Sequence, residues 1–465
     1  MKDLIAAIDL GTTKVAVAVG EKTNLGVKIV AFGEAPSRGI KRGRVENVRL
    51  ANQALNKALK MVEDQIHMKV TKAFVGIAGQ DIKCIAPEPF QVQRENFNNL
   101  ITQDEIVKIT QNTYNYVLDD GNKVLYSVPQ SYNVDNYMSV SEPVGMLGRN
   151  IQARFKLFIG KENSQRMIQS TLQLSGIQPL EIVLEPVASA KAVLSEDEME
   201  VGSILVDIGG GTTDVIVFHH NIIRYAGIIP FGGNSITEDI CIGCGIANDK
   251  AELIKTNYGC CFSDYADADK RILIPTVGAN GGKEVHLKVL ARIIQARMEE
   301  ILEAVCWHVE QSGFKDVIRS GMVLTGGGSK IKNLTNLANF VTGYEARVGS
   351  PNVFAIDPSS CDLAKEPTSS TAAGMLIHAF QRMEEEGIIF TNCVTSIEEP
   401  VFQPVEENAE PVLIDAETSV PIPADSSSAS KPGKKQGKTG RNLWGKLKGA
   451  LSSENLFSSD FSNEV

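Results

Sequence analysis

No apolar run in this chain of 465 residues approaches the roughly 18 that a membrane-crossing helix needs, so it is not expected to span a bilayer. The N-terminal MKDLIAAIDLGTTK carries Asp3 and Asp9 and has no small-residue cleavage site after a long apolar stretch, so no secretory signal is read there and the expected compartment is the cytoplasm. Basic residues do not dominate either: 46 Lys and Arg against 56 Asp and Glu leave a net charge of −10, which argues against general nucleic-acid binding. Eight cysteines in so long a chain, outside a secretory context, read as thiols rather than as a disulfide framework. Cys241 and Cys244 have zinc-knuckle spacing, but Cys260 and Cys261 are adjacent and cannot readily place both sulfurs at tetrahedral positions.

What is present is a soluble globular composition, 43% hydrophobic and 22% charged, in a chain longer than one hydrophobic core usually serves. Two lobes are therefore expected, and an internal repeat supports them. IAAIDLGTTKVAVAVG recurs as ILVDIGGGTTDVIVF, with Asp9 and Asp207 equivalent. Each copy is a β-branched apolar run, an Asp, a Gly and Thr turn, and a second alternating run, the pattern of a hairpin with a polar tip. Residues 79 to 160 differ in texture and read as a small inserted α/β subdomain. From Lys288 to Gly313, Leu290, Ile293, Ile294, Met298, Ile301, Leu302 and Val305 fall at helical spacing, which predicts a long amphipathic helix with a core-facing stripe.

The expected divisions are a first lobe over 1–195 with the insert at about 80–162, a second lobe over 196–325, a return to the first over 326–388, a linker over 389–438 and a terminal segment over 439–465. Between Glu398 and Asp425 there is no Lys or Arg, and the Pro-rich acidic composition predicts a disordered linker. The sign then reverses. Leu443, Trp444, Leu447 and Leu451 share one face of a helical projection flanked by Lys446 and Lys448, the pattern of an amphipathic helix lying on an anionic membrane surface. A disordered basic tail or a partner-docking helix is the plainer alternative. Gly445 and Gly449 weaken the helix, so stable attachment calls for many tails acting together.

The chemistry lies in the turns. A tip of Gly and Thr lets backbone N–H groups approach phosphate oxygens with no Cβ in the way, and the hydroxyls add donors. Gly11, Thr12 and Thr13 form one such tip; Gly209, Gly210, Gly211, Thr212 and Thr213 form the other. If the tips face each other, Asp9 and Asp207 converge where carboxylates would repel phosphate unless a hydrated Mg2+ lay between, so both are candidate metal residues. A third glycine turn, Gly326, Gly327, Gly328 and Ser329, follows an apolar run and opens an expected helix, so its backbone lets a base or ribose pass close by.

Two hairpins and a glycine turn in this order resemble the phosphate and adenosine motifs of the actin, sugar-kinase and heat-shock ATPase superfamily. LEPVASAKAVL (Leu184 to Leu194) and SSTAAGMLIHAF (Ser369 to Phe380) are similar to its connecting helices. Lys14 after the threonines, GRVENV (Gly43 to Val48) and SVPQSYNVD (Ser127 to Asp135) resemble the FtsA branch in particular. The resemblance implies an α/β, actin-like two-lobed ATPase fold with the insert, followed by the linker and the amphipathic helix. It implies ATP and Mg2+ as ligands, with Glu185 orienting the attacking water beside Asp207, Lys14 on phosphate, and Glu252 and Lys255 near ribose and base. The bland alternatives are a helix-start glutamate for Glu185 and an i,i+3 surface pair for Glu252 and Lys255. It further implies a polymerising membrane adaptor on the cytoplasmic face of the cell membrane at the division septum. That adaptor binds copies of itself, the tubulin-like protein FtsZ and other division proteins, and is at most a slow Mg-dependent ATPase. A pilus-assembly scaffold of the same fold is the alternative.

Overall fold

The computed structural model describes residues 3–396 apart from 96, 120, 276–281 and 352–354. Two five-stranded sheets share one topology. In the first, strands Ile5–Leu10, Lys14–Thr23 and Gly26–Pro36 run antiparallel in sequence, and Lys72–Ile77 and Gln178–Leu184 add in parallel on the other side of the opening strand. In the second, Ser203–Ile208, Thr213–His219 and Ile222–Ile229 repeat the meander, and Met322–Thr325 and Ala346–Val348 add in parallel. The sequence repeat is thus a repeat of architecture, with the two expected hairpins at equivalent places.

The opening strands are buried on both faces because helices cover both sides. In the second sheet Ile204, Val206 and Ile208 enter a core with the long helix Leu287–Ser312, while Leu205, between them, enters the core shared with the first lobe. That helix stops at Gly313, which takes the left-handed conformation that glycine adopts without a Cβ penalty. Its predicted stripe is buried except for Ile293, which is half-buried.

The insert forms its own antiparallel sheet of Tyr137–Val140, Asn122–Val134, Asn150–Lys161 and Lys83–Ile85, with Phe90–Gln93 also on the third strand and the helix Gln103–Thr113 packed over it. Ile106, Ile109, Tyr132, Val134, Phe155 and Leu157 give it a separate core.

Two short-residue helices, Glu185–Val193 and Ser370–Glu386, cross beneath the cleft between the lobes. A Cβ on Gly374 would lie 1.8 Å from the Ala188 carbonyl oxygen, so the crossing requires glycine. Gly374→Ala is expected to cost about 1–3 kcal/mol through overpacking, read as a lowered midpoint in thermal unfolding; an unchanged midpoint would mean that the helices do not cross this closely.

Two expectations need correction. The chain does not become linker at 389: Phe390 packs edge-to-face on Phe74 at 5.0 Å, Cys393 is buried, and Val394–Ser396 pairs antiparallel with Met68–Val70. Apolar Phe390, Cys393 and Val394 give these residues enough burial to order. The third glycine turn also does not open an α-helix directly. Gly327–Lys330 is a 3-10 turn, and the α-helix starts only at Leu334. Ser329 Oγ donates back to the Gly326 carbonyl at 2.7 Å and closes the turn early. The remainder of the expected linker and the terminal segment with Leu443, Trp444, Lys446, Leu447, Lys448 and Leu451 lie outside the described residues.

Candidate functional site

The two hairpin tips meet across a cleft of about 490 Å³. Gly11, Thr12, Thr13 and Lys14 line one side, Gly209, Gly210, Gly211 and Thr212 the other, and Gly326, Gly327 and Gly328 a third. A Cβ on Gly210 would fall 1.8 Å from Thr13 Oγ1, and one on Gly211 would fall 2.7 Å from Thr12 Oγ1, so glycine is what lets the tips approach. The helix Gly233–Cys244 begins at the second tip: Gly233 N–H donates to the Gly209 carbonyl at 2.9 Å and Asn234 N–H to that of Gly210 at 2.8 Å. Its N-terminal end, with no side-chain cap, adds its partial positive charge to the wall of the cleft.

The floor is acidic. Asp9, Glu185, Asp207 and Asp214 all line the cleft. Burial, with Asp207 nearby, pushes the Asp9 carboxyl up to about 7, although Lys14 opposes this. Glu185 is pushed well above the usual carboxylate range by burial and by Asp9, Asp214 and Asp207; Asp214 rises through burial and Asp207. Asp207 is raised by burial and held back by Ser189, whose Oγ donates to Asp207 Oδ2 at 2.7 Å while lying 3.0 Å from Thr371 Oγ1. Four buried carboxyls, all raised, form a floor whose ionised state a nearby cation would favour. One Asp214 oxygen, Oδ1, is buried with no hydrogen-bond partner among the described residues. The residues present therefore fit a divalent cation. Among the described residues no group of three His, Cys, Asp or Glu side chains is placed to hold a metal ion by itself. The same holds for Cys241, Cys244, Cys260 and Cys261: all are free thiols, and Cys260 is engaged by Asn333 Nδ2 at 3.2 Å.

Lys255 lines the wall as a buried ammonium whose three hydrogens each have an acceptor: the Gly233 carbonyl at 2.9 Å, Thr237 Oγ1 at 2.8 Å and Glu252 Oε2 at 2.7 Å. Glu252 and Lys255 do form the i,i+3 pair, but inside the cleft rather than on the open surface. Lys14 lines the first tip with its ammonium 2.5 Å from Glu34 Oε2. Thr213 and Ser329 do not line the cleft. The Thr213 hydroxyl donates to the Phe231 carbonyl at 2.9 Å, and that of Ser329 stays within its own turn.

Sequence reasoning missed several residues here. Asp214 stands directly opposite Asp207 in the hairpin, a position readable from the hairpin pattern alone. Gly76 was not readable: a Cβ there would meet Glu185 Cγ and Oε1 at 2.7 Å, so its lack of a side chain makes room for that carboxyl. Lys330 and Lys332 also line the third wall.

Comparison with known proteins places this architecture. A family model described as Cell division protein FtsA matches residues 204–374, and one described as the SHS2 domain inserted in FTSA matches residues 79–159. The chain is 34% identical over 382 residues to the cell division protein FtsA of Neisseria meningitidis, covering 82% of this chain and 91% of that protein. Likeness to the FtsA of Pseudomonas aeruginosa is 32% over 383 residues, covering 82% and 90%; to that of Bacillus subtilis it is 28% over 393 residues, covering 83% and 85%. Among solved structures, the PilM-PilN type IV pilus biogenesis complex shares the fold at a TM-score of 0.56 and 16% identity, covering 80% of this chain and 98% of that one. MreB5 of Spiroplasma citri bound to ADP does so at 0.51 and 14%, covering 83% and 99%. With an actin-like fold, the inserted domain and this identity along nearly the whole of its relatives, the chain belongs to the FtsA family.

Proposed function

We propose that this protein is an ATP-binding, polymerising adaptor of bacterial cell division. It anchors FtsZ at the cytoplasmic face of the membrane and supports recruitment of later division proteins. The likeness to cell division FtsA proteins along nearly their whole length carries this reading. The pilus complex shares the fold at 16% identity, so a pilus-scaffold role has no support beyond that fold.

In this reading the lobes are 1–195 with 326–388, and 196–325, and the insert is about 80–162. ATP lies between them. Backbone N–H groups of Gly11 to Thr13 and Gly209 to Thr212 hold its phosphates, with Lys14 adding charge, and the turn Gly326 to Gly328 faces the adenosine with Glu252 and Lys255. Asp9 and Asp207 would hold Mg2+, which would supply positive charge to balance the phosphates and favour the ionised form of the floor carboxyls. Glu185, once ionised, accepts a hydrogen bond from a water and orients it; Ser189 fixes Asp207. Hydrolysis is slow and regulatory. Ser189→Ala is expected to weaken Mg-ATP binding about tenfold, close to the loss of one charge-assisted hydrogen bond, in calorimetric titration; unchanged affinity would remove Asp207 from the site.

The segment 439–465 contacts the membrane through Leu443, Trp444, Leu447 and Leu451, with Lys446 and Lys448 toward anionic headgroups. A fluorescent fusion in a bacterium depleted of its own family member is expected to gather at the division site only while FtsZ is present. A chain ending at Ser430 is expected to stay diffuse. Localisation independent of FtsZ would sink the adaptor reading.

A further inference from the structure

A second and larger hollow, about 1050 Å³, opens between the insert and the second lobe, away from the nucleotide cleft. Its walls carry Arg154 and Lys156 from the insert strand Asn150–Lys161 and Arg224 from the second-lobe strand Ile222–Ile229. Among the described residues Arg224 is held by neutral acceptors: Nε donates to the His219 carbonyl at 3.2 Å, and Nη1 to the Gln130 carbonyl and Oε1 at 3.3 Å each. The Phe314 ring lies 5.6 Å from its guanidinium carbon. Lys156 reaches over the Tyr225 ring at 5.8 Å, and among the described residues neither it nor Arg154 has a carboxylate partner.

Both half-buried cations bear the cost. Burial pushes the Lys156 ammonium down, Cys84 opposes this, and Arg224, a like charge, adds to it; burial also lowers Arg224. Of the acids lining the hollow, Glu200 is occupied by His220 Nδ1 at 2.9 Å and Asn221 Nδ2 at 2.8 Å, and Glu88 stands exposed at the rim. The hollow is therefore lined by three cations against two carboxylates, with Lys156 and Arg224 partly desolvated and Arg224 held in place by its hydrogen bonds, in a chain whose net charge is −10. Arg154 and Lys156 are two residues apart on one strand face, about 7 Å along it, and Ser131 sits directly across from Arg154. An extended peptide repeats its own side chains at the same interval.

We propose that this groove docks an extended acidic segment of a partner protein, with carboxylates at alternate positions meeting Arg154 and Lys156, Arg224 taking a third, and Phe314 covering an apolar side chain. A lone phosphate would use only one corner of so large a space.

The test uses the full chain and a fluorescein-labelled decapeptide of alternating Glu and Ser, followed by anisotropy, with an alternating Lys and Ser peptide as control. The acidic chain repels such a probe overall, so binding has to come from a local site. Saturable binding of the Glu peptide alone is expected, weakened about tenfold by Arg154→Gln and more by Arg154→Gln with Lys156→Met. Arg271→Gln, at an exposed position elsewhere, is expected to leave it unchanged. Arg154 is exposed, so its variant folds, and circular dichroism checks the double variant. No binding, or equal binding by wild type and double variant, overturns the proposal. Displacement of the peptide by millimolar inorganic phosphate also overturns it, and assigns the groove to a small phosphate anion instead.

Discussion

Affinity for Mg-ATP is expected to rise about tenfold between pH 6 and pH 8, because a carboxyl with a pKa near 7 goes from about one-tenth to about nine-tenths ionised over that span. Asp9 is such a group, raised to about 7 by burial and by Asp207. Its folded pKa lies above its unfolded one, so the empty protein keeps this contribution to stability in acid and loses it as pH climbs through 7. Cation binding demands the ionised form, and so gains over the same window while releasing protons. Glu185 and Asp214, raised in the same direction, add to the dependence. Calorimetry in two buffers of different ionisation enthalpy measures the protons released. Asp9→Asn is expected to flatten the profile, and a flat profile in the native chain would mean that the floor does not meet the cation.

Gly326→Ala is expected to weaken Mg-ATP binding about 100-fold. Gly326 has φ +79, where a side chain costs about 1–3 kcal/mol, and its Cβ would come within 2.3 Å of Asp207 Oδ1 and 2.7 Å of the Ile208 carbonyl oxygen. One methyl group therefore disturbs both the glycine turn and the carboxyl beside it. Gly343→Ala is the control: φ is +74, yet nothing lies within 4 Å of its Cβ. It should cost about 1 kcal/mol of stability and leave binding intact. Equal loss of binding in both variants would trace the effect to backbone strain rather than to the crowded floor.

The hairpins and the connecting helices were legible because their information is local. An apolar run, an Asp and a Gly-Thr tip define a hairpin wherever it sits, and small residues at helical spacing announce a close crossing. Which hydroxyl of a tip faces the cleft is not local: Thr212 lines it while Thr213, one residue on, turns to the Phe231 carbonyl. Glu252 and Lys255 carried two readings in sequence; they do form the i,i+3 pair, and that this pair lines the cleft, with Lys255 held against the start of the helix Gly233–Cys244, depends on packing that no local pattern shows. The strand Val394–Ser396 was taken for linker because its pairing partner, Met68–Val70, is more than 300 residues away in the chain. The basic groove left no trace at all, since Arg154 and Arg224 come from separate domains and neither belongs to a motif.

The most direct test of the adaptor reading is co-sedimentation of FtsZ with anionic liposomes in the presence of this protein. With Mg-ATP the full chain is expected to pellet and to carry FtsZ with it, while a chain ending at Ser430 leaves both in the supernatant. If both forms pellet alike, or if the full chain pellets and leaves FtsZ in solution, this protein is not the link between FtsZ and the membrane.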